Sequence, residues 1–148
     1  MLEIVTNTHE LHRVSIPIHN PSEHRHLVIE MREMLLRTQG LGLAAVQVGS
    51  LIRIIIIDND PYPPFVLYNP LIAKTSEQFA TSEESCLSIP DKSVIVRRPK
   101  TVKISALNNT GDAVVFKFSG LKAVVAQHEM DHLNGVIITD YLGELNGF

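Results

Sequence analysis

His128-Glu129-Met130-Asp131-His132 is the segment whose residue types and spacing most directly imply chemistry. At ~100° per residue, two histidines four positions apart lie about 40° from each other around a helix, so both imidazoles can reach one metal ion. Glu129 lies about 100° around from His128, which places its carboxylate beside a water rather than on the metal, where it would shuttle a proton. A hydrolytic zinc or iron site needs a third protein ligand and keeps one position for water. The metzincin pattern would take that ligand six residues beyond His132, but Ile138 stands there. Two donors remain. Glu144 is an acidic candidate in a short tail. Cys86, in Glu83-Glu84-Ser85-Cys86-Leu87-Ser88-Ile89-Pro90, would complete a thiolate-plus-two-imidazole set that is known in catalytic zinc sites and soft enough for ferrous iron. A lone cysteine is usually a small buried hydrophobe; the histidine pair tips the reading toward a ligand.

Gly40-Leu41-Gly42-Leu43-Ala44-Ala45 formally matches the dinucleotide fingerprint G-x-G-x-x-A, which must follow a strand and open a helix. Here it follows a helix and leads into a strand, so its small residues are expected to let a substrate backbone approach closely. Gln47 then offers a neutral amide donor of the kind that stabilises an oxyanion. Taken alone, the segment reads more readily as a helix cap joined to a buried strand, with Gln47 hydrogen-bonded nearby.

The elements that must position these groups are legible as pattern. Asn20-Pro21-Ser22-Glu23 has the residues of an N-cap, a proline at the first helical position and a capping box. Leu27, Met31, Met34 and Leu35 recur at helical spacing and Gly40 stands where a C-terminal cap belongs, so a first helix is expected over roughly Pro21 to Gln39. Strands are expected at Ile52 to Ile57, Phe65 to Tyr68, Val94 to Arg97, Val102 to Leu107 and Ala113 to Phe118, with Asn59 to Pro64 as a loop. Asn108 to Asp112 has hairpin chemistry, so the last two strands should pair antiparallel. Ser119 is the expected N-cap of a second helix running to about Leu133 and ended by Asn134-Gly135. The fold class is therefore α+β, with antiparallel strands around a C-terminal HExxH helix.

Composition narrows the function. The 148 residues, 45% hydrophobic and 20% charged, suit one catalytic domain spanning 1–148. Lys and Arg total 13 against 16 Asp and Glu, a net charge of -3 with no basic block, so DNA, RNA and anionic membranes are not expected partners. No apolar run approaches a membrane span and the first ten residues do not resemble a leader, so a cytoplasmic setting is expected. The single cysteine cannot form an internal disulfide, in keeping with a reducing compartment.

Together, Gly40-Leu41-Gly42-Leu43-Ala44-Ala45-Val46-Gln47, Glu84-Ser85-Cys86-Leu87-Ser88 and Gln127-His128-Glu129-Met130-Asp131-His132-Leu133 resemble the three motifs of the peptide deformylase family, in order, across about Pro21 to Tyr141. The resemblance implies hydrolytic removal of the formyl group from N-terminal formylmethionine of nascent chains, with release of formate. It implies that Cys86, His128 and His132 hold one divalent ion, Fe2+ foremost and Zn2+, Ni2+ or Co2+ otherwise. Glu129 would move the proton, and Gln47 with the Leu87 backbone N–H would stabilise the oxyanion. Leu41, Gly42, Val124 and Val125 are the candidate contacts for the substrate and its methionine side chain. Glu84 with Arg98 would brace the Cys86 segment, and Asp131 would accept a hydrogen bond behind the ligands. The implied partner is an N-formylmethionyl peptide near the ribosome, in a bacterial or phage-infected cytoplasm or an organelle. Three features depart from the family pattern: Ser85 stands where it has glycine, the usual Pro-Asp is replaced around Thr8-His9-Glu10, and only Val136 to Phe148 follow Gly135, a short form without a long C-terminal helix. Ser85 is expected to narrow the cleft. The alternatives are an HExxH zinc metallopeptidase using Glu144 or a remote histidine, and a closed structural zinc site. The latter would have no use for an unligated Glu129.

Overall fold

The computed structural model describes residues 2–143. A short helix α1 (Thr8–Leu11) precedes a 3-10 turn over Pro21–His24, which runs into α2 (Arg25–Thr38). The strands are β1 (Gly42–Ala44), β2 (Ile54–Asn59), β3 (Tyr62–Thr75), β4 (Phe79–Cys86), β5 (Ile89–Pro99), β6 (Thr101–Leu107) and β7 (Ala113–Ser119), followed by α3 (Gly120–Leu133). Five of them form an antiparallel sheet in the order β1-β2-β3-β6-β7, and β4 pairs with β5 as a separate antiparallel hairpin. This is the α+β arrangement that the pattern of elements predicts. Among the described residues no helix is long and apolar enough to cross a membrane.

The isoleucine run explains why the sheet lies between two helices. Alternate residues of a strand face opposite sides. Ile55 and Ile57 join the cluster around Ala126, Met130 and Leu133 of α3, while Ile54 and Ile56 join Val28, Met31 and Met34 of α2. All four isoleucines are buried, each worth roughly 1.5–3 kcal/mol in apolar burial. The small residues Ala123 and Ala126, both fully buried, let α3 pack closely with Ala44, Ile55 and Ile104 of the sheet.

Several boundaries differ from the sequence reading, each for a local reason. The first helix turns as 3-10 before becoming α at Arg25, because Asn20 Oδ1 accepts from the Ser22 N–H at 3.1 Å. Gln39, at φ 54°, takes the left-handed cap position expected of Gly40. Ser119 precedes α3 but makes no side-chain cap bond. The strand expected from Ile52 begins at Ile54, Ile52 making instead a lone parallel bridge to Ile16. Pro63 and Pro64 belong to β3 rather than to a loop, the turn between β2 and β3 being only Asp60-Pro61. β1 and β4 are additional strands. β1 is three residues long, and β4 is too polar across Thr81 to Ser85 to register as apolar alternation. The Asn108 to Asp112 turn joins β6 and β7 antiparallel as expected, its Asn108 Oδ1 accepting from the Thr110 and Asp112 N–H groups.

Candidate metal centre and its cleft

Cys86 ends β4, where a register irregularity between Ser85 and Cys86 turns the strand toward α3. His128 and His132 are one helical turn apart on α3, both buried, with ring centroids 5.0 Å apart. One donor atom from each of Cys86, His128 and His132 lies within 4.8 Å of the others, and Cys86 Sγ is 3.4 Å from His132 Nε2. With metal–sulfur bonds of ~2.3 Å and metal–nitrogen bonds of ~2.0–2.1 Å, tetrahedral ligands stand about 3.6 Å apart, so this donor set fits a divalent ion with little adjustment. Glu144, the alternative third ligand, lies outside the described residues.

Behind the ligands runs a buried chain of charge. Arg98 clasps Glu84 with two hydrogen bonds, Nε to Oε2 at 2.6 Å and Nη2 to Oε1 at 2.8 Å. Arg98 Nη1 also reaches Asp131 Oδ2 at 3.0 Å, and the Tyr141 hydroxyl donates to the same oxygen at 2.6 Å. Glu84 Oε1 accepts from His128 Nδ1 at 3.1 Å, and because an ionised carboxylate only accepts, the proton sits on Nδ1 and leaves Nε2 as the free donor atom. Burial would raise the Glu84 pKa, but hydrogen bonds from Arg98 and His128 outweigh it and hold the carboxyl below its usual range. Burial alone would lower the His128 pKa, yet its bonds to Cys86 and Glu84 and the Glu129 charge push it up to about 10. The same Glu84, Glu129 and Cys86 charge that would stabilise a proton on Nε2 would stabilise a metal cation taking that proton's place. His132, desolvated and facing His128 and Arg98, is pushed down to about 3 and stays neutral.

Glu129 is buried, and burial raises its carboxyl to about 7 against the opposing pull of His128 and Arg98. Its Oε1 has no hydrogen-bond partner. A buried carboxylate oxygen without a partner is costly, so its presence here points to a role in a reaction, and a pKa near 7 suits a group that must both take and give a proton.

The cleft over this cluster has a volume of about 380 Å3 and is bordered by Leu41, Gly42, Ser85, Leu87, Val124 and Val125, among others. Leu41, Gly42, Gln47, Cys86, Leu87, Val124, Val125, His128 and Glu129 border this one cleft, and His132 is joined to it through the Cys86–His128–His132 cluster. Gln47 is buried, its Oε1 fixed by the Ala44 N–H at 3.0 Å, so Nε2 points to Ser88 Oγ at 3.1 Å and to Cys86 Sγ at 3.6 Å. Gly42 has a steric reason to be small besides the approach of substrate that the sequence suggests. A Cβ there would stand 2.7 Å from both Glu129 Oε2 and Val125 Cγ1, so the space is taken by α3. Sequence reasoning missed Ser88, Tyr141 and Leu121. Ser88 had a usable signal in its place two residues beyond Cys86; Tyr141 and Leu121 had none short of knowing how the tail and the start of α3 fold back.

The chain matches the family model for polypeptide deformylase over residues 1–147. A peptide deformylase of Brucella suis is 39% identical over 140 residues, spanning 91% of this chain and 80% of that protein. One of Psychrobacter cryohalolentis is 44% identical over 126 residues, spanning 84% and 68%. Among solved structures, a probable peptide deformylase from Synechococcus phage S-SSM7 is similar with a TM-score of 0.89 at 35% identity, over 96% of this chain and 100% of that one. The peptide deformylase of Thermotoga maritima gives a TM-score of 0.87 at 35% identity, over 95% and 96%.

Proposed function

The chain belongs to the peptide deformylase family, metal-dependent hydrolases that remove the formyl group from the N-terminus of nascent polypeptides, and on that premise we propose how its residues divide the work. Cys86, His128 and His132 hold the divalent ion. The observation that carries this assignment is the convergence of their donor atoms within 4.8 Å beneath an open cleft. We assign ferrous iron on the resemblance to the family, with zinc, nickel or cobalt able to occupy the same donors. The ion supplies Lewis acidity toward a water and toward the formyl oxygen.

Glu129 takes the proton from the attacking water and later delivers it to the amine that leaves. Its burial keeps it poised for both steps. Gln47 Nε2 and the Leu87 N–H stabilise the charge that develops on the formyl oxygen, each such donor being worth ~3 kcal/mol in comparable sites. The Ala44 N–H aims Gln47 by holding the other end of its amide. Leu41, Val124 and Val125 give the methionine side chain an apolar wall, with Gly42 beside them. Glu84 and Arg98 position His128 and steady β4. The enzyme works near the ribosome, in the cytoplasm of a bacterial or phage-infected cell, on chains whose formylated end has just emerged.

Metal analysis of protein prepared without oxygen tests the assignment, because ferrous iron beside a thiolate is lost on oxidation of either. About one iron per chain is expected, and its absence from Cys86→Ser protein. Full occupancy in that variant would remove Cys86 from the ligand set.

A further inference from the structure

We propose that the outer face of β3, β6 and β7 is a docking surface for an RNA backbone. Lys74 of β3 pairs directly with Lys103 of β6, and Lys103 pairs directly with Lys117 of β7. All three are exposed and line one hollow of about 460 Å3. Like charges directly opposite on neighbouring strands are destabilising, so three in a row oppose the stability of the sheet that carries them. No Asp or Glu of the described residues pairs with any of the three. The hollow adds the hydroxyls of Thr75, Thr101 and Ser119. Lys122, in the first turn of α3, borders the adjoining hollow together with Lys117. The sequence reading found no basic block because these residues are scattered from 74 to 122; the sheet assembles them.

Charge complementarity specifies a polyanion. Cross-strand neighbours stand ~4.5–5.5 Å apart, so the row presents three cations at a spacing on the order of the phosphate repeat along one nucleic-acid strand. RNA is favoured over lipid because the row lies flat on a sheet with hydroxyls around it, and because the substrate is a nascent chain, made on RNA. That second reason rests on the proposed function. The face is also continuous with the active-site cleft. Lys117, Phe118 and Ser119 border a neighbouring hollow that shares Leu41, Leu121 and Val125 with the cleft and carries Asp58 and Asp60 on its far wall, so the basic row ends at Lys117 and Lys122 on that side.

The test is fluorescence anisotropy of a short labelled mixed-sequence single-stranded RNA with the full chain, as a function of salt. Three phosphate contacts predict a log–log salt slope of about -2, and hence about 20-fold weaker binding at 200 mM than at 50 mM salt. K74E/K103E/K117E should abolish binding while leaving turnover of a formyl-Met tripeptide unchanged, which also confirms folding. R13E/R25E/K92E, with the same change in net charge on other exposed positions, should retain the slope. No binding at low salt, equal loss in both triple variants, or tighter binding to phosphatidylserine vesicles than to RNA would each overturn the proposal.

Discussion

Gly42→Ala is the smallest change that should disable the proton carrier without touching a metal ligand. The added methyl would stand 2.7 Å from Glu129 Oε2 and from Val125 Cγ1, and 3.0 Å from Glu129 Cγ, where ordinary contact begins at 3.4 Å. Something must yield by about 0.7 Å. Val125 is buried and packed in the α3 cluster, and Glu129 is itself buried, so each can yield only toward the cleft that both border, which displaces the carboxylate from its place. Moving a reacting group by ~1 Å costs up to ~100-fold in rate, and overpacking of this kind costs ~1–3 kcal/mol in stability. We therefore expect kcat to fall by ~10- to 100-fold, with metal content unchanged and a modest drop in Tm. Gly40→Ala is the matched control, since its Cβ would meet the movable Leu87 Cδ1 at 3.1 Å, and should cost far less. The assay is formate release under anaerobic conditions with parallel metal analysis. A normal kcat with a raised KM would refute the reasoning, for it would mean that Gly42 serves the approach of substrate rather than the placement of Glu129.

Glu129→Gln should retain the metal and lose ~100- to 10,000-fold in kcat, because the amide keeps the shape but takes no proton; loss of metal would instead make Glu129 a ligand. In protein stripped by a chelator, the raised Glu129 pKa gives stability that is full below the ordinary glutamate range and declines as pH rises through about 7, so Glu129→Gln should flatten that part of the Tm–pH curve. Arg98→Met should cost ~3–5 kcal/mol in denaturant unfolding, since it leaves the buried Glu84 carboxylate without its clasp; a loss under ~1 kcal/mol would mean that Glu84 is not charged there. Glu84, held below its usual range, contributes stability above the ordinary glutamate pKa that is lost as acid protonates it, so Glu84→Gln should weaken the acid limb of the unfolding curve.

Most of the site was legible because its chemistry depends on local spacing. His128, Glu129 and His132 are fixed by the pitch of one helix, and Cys86 is the single thiol available to join them. Gln47 and Gly42 were found as residue types in a segment, but what Gly42 makes room for depends on how closely α3 approaches β1, a tertiary distance that no local pattern encodes. The same limit hid Tyr141, whose contact with Asp131 requires the chain to fold back after Gly135. In the fold, the β-branched isoleucine run and the Asn108 turn were readable. β4 was not, because its alternation runs between Glu84, buried by its ion pair with Arg98, and exposed polar neighbours, so hydrophobicity carries no period there. The proline-rich start of β3 misled for a related reason. Proline argues against a ladder position, and Pro63 and Pro64 obey that rule inside β3: they stand at a register irregularity between Tyr62, paired with Asn59, and Phe65, paired with Ile57.

The central claim is that this cleft hydrolyses a formyl group and little else, and kcat/KM for matched formyl-Met and acetyl-Met peptides, followed by formate or acetate release, tests it most directly. A formyl carbon carries only hydrogen where acetyl carries a methyl, and the Cys86-Leu87 segment with Ser85 beside it borders the space that methyl would need. A roomy apolar pocket separates such substrates by only ~10- to 200-fold. The account predicts a larger ratio and no cleavage of internal peptide bonds; comparable values for the two peptides, or cleavage of an unmodified internal bond, would contradict it.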